Sequence, residues 1–272
     1  MNLLTDICVN LTNSQFNDDR HQVIERAIEQ GVSRMIIAAS DIESSLQAIE
    51  LCEAYPQYLR CTAGCHPHDA KDMTYEKWEM LEALFASPFV VAVGECGLDY
   101  NRNFSEPHQQ IDVFTKQLQL AEQYDLPVYL HERDAYHEMI SILHQYRGRL
   151  NKLLIHCFTG DEEQLQGYLE LNMYIGITGW ICDERRNHGL LESVAMIPDD
   201  RIMIETDAPF LLPRSLEQKP ANNRCEPTHL HEICRVTAKA RDMQPGVLAS
   251  ISTLNSAQFF DWPIDVYSIS GR

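Results

Sequence analysis

The stretch FVVAVGECGLDY, residues 89–100, opens as a short apolar, β-branched run and ends on two acids, Glu95 and Asp99. A run of that length and composition reads as a strand buried on both faces, as in a parallel sheet. Carboxylates are costly to bury alone, so the end of this strand must meet something that accepts them. Working outward, the same kind of run recurs at 3–9, 34–40 (RMIIAAS), 59–65 (LRCTAGC), 126–131 (LPVYLH), 152–158 (KLLIHCF), 173–179 (MYIGITG) and 201–207 (RIMIETD). Stretches with apolar residues three and four apart lie between them. They are DRHQVIERAIEQG, which stops at Gly31, then DIESSLQAIELCEAY, YEKWEMLEALFAS, HQQIDVFTKQLQLAEQY and AYHEMISILHQY. That spacing predicts helices, and two more are expected near 226–241 and 245–260. Eight strands alternating with helices, at a spacing of roughly 20–35 residues, predict an α/β fold, a (β/α)8 TIM barrel. One such barrel is expected over residues 1–272. A doubly wound open sheet is the alternative, but no glycine-rich phosphate loop follows the first strand.

Composition narrows the classes of function. Of the 272 residues, 44% are hydrophobic and 23% charged, as in an ordinary globular protein. No apolar run approaches the ~20 residues that span a bilayer, and the N-terminus lacks a signal-peptide pattern, so no membrane partner is expected. Nine cysteines without a CxxC suit free thiols in a reducing compartment. A cytoplasmic monomer is the expectation. The formal net charge of −18 means that a polyanion would not be held by general attraction.

In a barrel of this kind, chemistry sits where the strands end. The first strand ends at Cys8 and Asn10, the third at His66 and His68, and the fourth at Glu95 and Asp99. The fifth ends at His131 and Arg133, the sixth at His156, and the eighth at Glu205 and Asp207. A lone histidine at a strand end is more often structural than a ligand. Six strands ending this way around one mouth point instead to a divalent cation held by Glu95, His131, His156 and Asp207. Two imidazoles with two carboxylates suit Mg2+, Mn2+ or Zn2+. Alternation places Glu95 with Val91 and Val93, His131 with Tyr129, His156 with Leu154, and Asp207 with Met203 and Glu205. On the first strand it places Leu4, Asp6, Cys8 and Asn10 together.

At these residues the sequence resembles the TatD family of metal-dependent nucleases, within the amidohydrolase-like barrels. The resemblance runs through NLTNSQF (10–16), AGCHPHDA (63–70), VAVGECGLDYNRNFS (91–105), LHERDA (130–135), LIHCFTG (154–160), YIGITGWICDERR (174–186) and IETDAPFLLPR (204–214). It implies a 3′→5′ exodeoxyribonuclease acting on single-stranded DNA or RNA, in DNA repair or degradation, with Mg2+ as the leading cofactor. It also implies Glu95, His131 and His156 as metal ligands, Asp207 as ligand and general base, and His66, with His68, at the scissile phosphate. Many members open with Asp-x-His-x-His. Here the same place reads Asp6-Ile7-Cys8-Val9-Asn10, so one of two metal positions is weakened. Asp6 is expected deeper in the barrel, as an acid supporting the metal ligands or a hydrogen-bond acceptor below the metal, and Glu205 is expected to support the ligands or mark a vestigial metal position, as are Cys8 and Asn10.

Basic and aromatic residues share the loops after the strands. Arg102, Arg133, Arg185, Arg186, Arg214, Lys219 and Arg224 lie with Tyr100, Phe104, Phe158, Trp180 and Phe210. Arginine interleaved with aromatics is a recipe for gripping single strands, with Arg133, Arg185 and Trp180 the leading contacts. The plainer reading of CDERR is a solvated helix start. Two other functions stay open: a metal-dependent amidohydrolase or esterase on a small substrate, and a non-catalytic barrel scaffold.

Overall fold

The computed structural model describes residues 3–263, so the outermost residues of the barrel expected over 1–272 lie outside the described part. In chain order the strands are β1 (Leu4–Val9), β2 (Val32–Ile37), β3 (Leu59–Ala63), β4 (Val90–Asp99), β5 (Val128–Arg133), β6 (Leu153–Ile155), β7 (Tyr174–Ile177) and β8 (Ile202–Ile204). The helices are α1 (Arg20–Glu29), α2 (Ile42–Ala54), α3 (Tyr75–Leu84), α4 (Pro107–Tyr124), α5 (Tyr136–Gln145), α6 (Glu162–Glu170), α7 (His188–Met196), α8 (Leu230–Ala240) and α9 (Pro245–Phe259). The eight strands pair in sequence order, each ladder parallel. This is the expected (β/α)8 architecture. Helices α6 and α7 were not foreseen in the sequence. Each has nine residues, too few for a clear apolar stripe, and α6 is set by the capping box of Asp161 and Gln164. CDERR does not start a helix: a 3-10 turn at Gly179–Cys182 ends at Asp183.

Strand alternation sorts the core into two layers. Ile36, Ala92, Tyr129, Leu154 and Met203 pack together inside the barrel, closed below by Phe259 and Phe260. Their neighbours Met35, Ile37, Val93, Leu130, Ile155 and Ile204 face outward beneath the helices. Two strands break the strict alternation, and both breaks bear on function. On β4 the inward residue is Ala92, and Val93 packs outside, so the expected grouping of Val93 with Glu95 is corrected. The ladder to β5 shifts register between Val93 and Cys96, and that shift returns Glu95 to the interior. Glycine is required at the shift: Gly94 has φ +146, and a Cβ there would stand 2.3 Å from the Tyr129 carbonyl oxygen.

On β1 the register shifts between Asp6 and Val9. Ile7 and Cys8 both join the inner layer, so Asp6 and Cys8 do not share a face as expected. Asp6 is a wholly buried hydrogen-bond acceptor, as expected. It spans the seam where β1 meets β8, accepting from the Thr206 amide at 2.9 Å, the Thr206 hydroxyl at 2.5 Å and the Cys8 amide at 3.3 Å. Burial pushes its carboxyl up to about 8, against the pull of those bonds. The seam has little ladder of its own. It is the bridge Val9–Ala208, with the Asp207 amide donating to the Cys8 carbonyl at 2.9 Å and the Asn10 amide to the Ala208 carbonyl at 2.7 Å.

Asp6 therefore carries much of the barrel closure. Replacing it by alanine leaves the buried Thr206 amide without an acceptor and the Thr206 hydroxyl with only the Cys8 carbonyl at 3.4 Å, and should destabilise the fold by about 1–3 kcal/mol. Asp6→Asn should lose less, because its amide can accept from the Thr206 N–H and offer a donor to the hydroxyl. Urea denaturation of both variants checks the order, and an Asp6→Ala loss under about 0.5 kcal/mol would show that the seam does not depend on it.

Candidate active site

One carboxylate oxygen organises the mouth of the barrel. Glu95 Oε1 lies 2.9 Å from His131 Nδ1, 2.9 Å from His156 Nε2 and 3.5 Å from His66 Nε2. Four elements supply these groups: the kinked β4, the ends of β5 and β6, and the turn after β3. Glu95 is only 7% exposed. Burial alone would raise its carboxyl; the charge of His156, the nearby His66 ring and the bonds from His131 and His156 reverse this and hold it well below the carboxylate range. Burial likewise works to lower His131 and His156. Bonds to Asp99 and Glu95 lift His131 instead, and the charge of Glu95 lifts His156 well above the usual imidazole value. His66 is pushed down to about 3 by burial and by the neighbouring His131. Its Nδ1 accepts the His68 amide at 3.1 Å. The neutral ring therefore carries its proton on Nε2, facing Glu95.

A second acid supports the first. Asp99 Oδ2 meets His68 Nε2 at 2.7 Å and His131 Nε2 at 3.5 Å, and its Oδ1 accepts the Asn101 and Arg102 amides at 2.9 Å each. Burial would raise this carboxyl too, but the His131, Arg102 and His68 bonds keep it below its ordinary range. Behind His156, Glu205 Oε1 accepts the Cys157 amide at 2.5 Å, Glu205 Oε2 accepts the Tyr129 hydroxyl at 3.2 Å, and Oε1 lies 3.6 Å from His156 Nδ1. The Tyr129 ring stacks on His156 with centroids 5.2 Å apart. Asp207 closes the site from the β8 side, in a left-handed turn with φ 56. Its Oδ1 accepts from Asn10 Nδ2 at 2.9 Å and from the Cys8 thiol at 3.7 Å. Burial pushes Asp207 up to about 6, with the charge of His156 opposing.

These donors suit a divalent cation. Ligand atoms of His66, Glu95 and His131 lie within 4.8 Å of one another, and so do those of Cys8, His156 and Glu205. Among the described residues, His131 Nε2 and His156 Nδ1 are buried without a hydrogen bond of good geometry, their nearest acceptors being Asp99 at 3.5 Å and Glu205 at 3.6 Å, an arrangement that is costly unless something else engages the rings. Imidazole nitrogens with carboxylate oxygens are the donors such ions take.

The structure thus brings together Glu95, His131, His156 and His66, and joins His68 to them through Asp99. Cys8 and Asn10 stand against Asp207. Glu205 braces His156. The expected basic rim is reduced. Arg185 is held by Asp183, Nε to Oδ1 at 2.8 Å and Nη2 to Oδ2 at 2.6 Å. Arg214 reaches the same Asp183 at 3.5 Å, and Arg224 is gripped by Asp19 at 2.6 Å and Glu226 at 2.7 Å. Asp19 is distant in sequence and Asp183 was read as part of a helix start, so these pairings were not visible there. Arg133 ends β5 exposed. Trp180 is half-buried against the core with the Arg186 guanidinium 5.2 Å from its ring centre. The bracing by Tyr129 and the seam bonds of Thr206 were not foreseen; neither residue type signals a site by itself.

Comparison with known proteins agrees with this geometry. The family described as TatD related DNase matches residues 5–261. A protein of Erwinia tasmaniensis named 3′-5′ ssDNA/RNA exonuclease TatD is 46% identical over 256 residues, 94% of this chain and 99% of its own. One of Edwardsiella piscicida with the same name is 46% identical over 257 residues, again 94% and 99%. Among solved structures, a TatD homologue from Escherichia coli superposes with a TM-score of 0.86 at 26% identity, covering 96% of this chain and 98% of that one. A TatD-family hydrolase from Entamoeba histolytica gives 0.88 at 25% identity, covering 97% and 100%.

If Glu95 is the hub of a cation site, Glu95→Gln should weaken Mn2+ binding by at least ~100-fold, beyond the 10–100-fold typical of outer-shell changes. Isothermal titration measures this, with circular dichroism to show that the barrel is retained. Unchanged affinity would remove Glu95 from the ligand set.

Proposed function

The chain belongs to the TatD related DNase family, and from that membership we propose that it is a metal-dependent exonuclease that removes nucleotides from the 3′ end of single-stranded DNA and RNA. The observation that carries this reading is the shared Glu95 oxygen among three imidazoles, two of them with a buried nitrogen that makes no hydrogen bond of good geometry. Glu95, His131 and His156 would hold the ion, with His66 and Asp207 at its edge. Mg2+ is proposed, with Mn2+ and Zn2+ as the alternatives the imidazoles admit. Such an ion, when bound, lowers the pKa of an attacking water and polarises a phosphate oxygen.

The remaining work falls to the side chains. Asn10 fixes Oδ1 of Asp207, so the carboxylate is oriented before substrate arrives. A carboxyl near 6 is largely ionised at neutral pH and suits a general base that takes the proton of the water. His66, neutral with its proton on Nε2, can donate to a non-bridging phosphate oxygen or to the departing 3′ oxygen. Asp99 keeps His68 and His131 from turning away. No helix among the described residues is long and apolar enough to cross a membrane, and we place the activity in the cytoplasm, in DNA repair or degradation, with the monomer as the working unit. Neither amide or ester hydrolysis nor a scaffold role is favoured by any contact in the site.

The test is a single-stranded oligonucleotide with Mg2+ and with EDTA. Stepwise release of mononucleotides from the 3′ end, abolished by EDTA, is expected. Asp207→Asn should lower kcat by about 10²–10⁴-fold, the range for a lost general base, with thermal stability retained. Cleavage that persists in EDTA, or an Asp207→Asn variant near wild type, would reject the scheme.

A further inference from the structure

Large exposed apolar side chains on this barrel fall into two groups. Leu46, Tyr75, Met80, Tyr124, Met196, Val247 and Leu254 lie on the outer helices. Phe104 and Phe210, 53% and 46% exposed, lie instead in the loops that follow β4 and β8, at the mouth. Of the two, Phe104 is the one built into the site. Its ring stands edge-on to His68, with centroids 4.8 Å apart, and the Arg102 guanidinium lies 5.9 Å from its centre. His68 in turn is bonded to Asp99 and packs against His66, with centroids 4.2 Å apart. Phe104 is therefore one ring removed from the groups proposed to meet the scissile phosphate.

The loop is pinned on both sides of this exposed ring. The Asn101 and Arg102 amides are bonded to Asp99, and Asn103 Nδ2 donates to the Tyr100 carbonyl at 2.7 Å. Ser105 Oγ donates to the His68 carbonyl at 2.8 Å, and the Ser105 carbonyl accepts from Gln110 Nε2 at 2.9 Å. A ring exposed in this way loses apolar burial. Holding it there by this many bonds costs nothing further on binding, which is what preorganisation requires.

We propose that Phe104, backed by His68 and flanked by Arg102, is a stacking platform for the nucleobase of the 3′-terminal nucleotide. The exposed surface of the Phe104 ring takes any base by its π-face, and Arg102 supplies the charge for the adjoining backbone. The platform would thus set the strand end in register with the Glu95 cluster. This rests on the exonuclease reading and adds to it the subsite that recognises the end.

Equilibrium binding tests it without turnover. Two fluorescein-labelled oligodeoxynucleotides, each with a phosphorothioate as the terminal linkage to block cleavage, are titrated with Mg2+ present. One has a normal 3′-terminal residue and the other an abasic one. Wild type should bind the normal strand about tenfold more tightly, the scale of one base–aromatic stack. Phe104→Ala should lose that preference, binding both strands like wild type binds the abasic one, and Phe104→Trp should restore it. A wild type that does not distinguish the strands, a preference that survives Phe104→Ala, or equal weakening of both strands would overturn the proposal. Base-dependent binding without any cleavage of normal linkages would count against the exonuclease reading alone; cleavage with base-independent binding would count against the platform alone.

Discussion

A single oxygen, Glu95 Oε1, faces His131, His156 and His66 at once, and much of the molecule serves that contact. A buried carboxylate with three imidazoles around it has no counterpart in an ordinary hydrophobic core, where such groups are costly. The rings that stand close hold the Glu95 carboxyl well below its ordinary range, and Glu95 in turn lifts His131 and His156. The geometry depends in turn on β4 leaving its regular register between Val93 and Cys96, which Gly94 allows. Asp99 and Glu205 then act as two props. One holds His131 and His68 from the outer side, and the other lies behind His156 while also fixing Tyr129 and the Cys157 amide.

The seam between β1 and β8 is the second dependency. Where the other neighbouring strands share ladders, this pair shares one bridge and a set of side-chain bonds. Asp6 binds Thr206, and Asn10 binds the adjacent Asp207. Barrel closure and placement of Asp207 are therefore the same event: the residue proposed as base is positioned by the contacts that complete the fold.

Strand count, order and the barrel were legible in the sequence because each β-branched run is short and each intervening helix of reasonable length has a clear stripe. The polar residues at the strand ends were legible for the same reason, since a charged residue ending an apolar run stands out. Side-chain direction was legible only where alternation is unbroken, as for Tyr129 with His131 and Leu154 with His156. It failed at Val93 and Glu95 and at Asp6 and Cys8, where a register shift resets the parity. Such shifts depend on what the neighbouring strand offers; Gly94 inside an apolar run is the local mark of the first, and no glycine marks the second. The pairing of Arg214 with Asp183 and of Arg224 with Asp19 was hidden too, because ion pairs between distant segments are tertiary facts.

Those ion pairs change how an acidic chain can hold a polyanion. With a net charge of −18 and the Arg185, Arg214 and Arg224 guanidinium groups already facing Asp183, Asp19 and Glu226, the rim is not a basic groove. Counterion release from a long phosphate track is then a small part of the attraction. What is left is local: the cation proposed at the Glu95 cluster, a neutral His66 able to donate, and Arg102 with aromatic surface at the edge. Attraction of that kind is strong for a strand end that reaches the cluster and weak along the rest of the strand. A site that grips only the end has reason to work from the end inward, and the acidic outer surface adds to this by repelling backbone that does not enter the mouth.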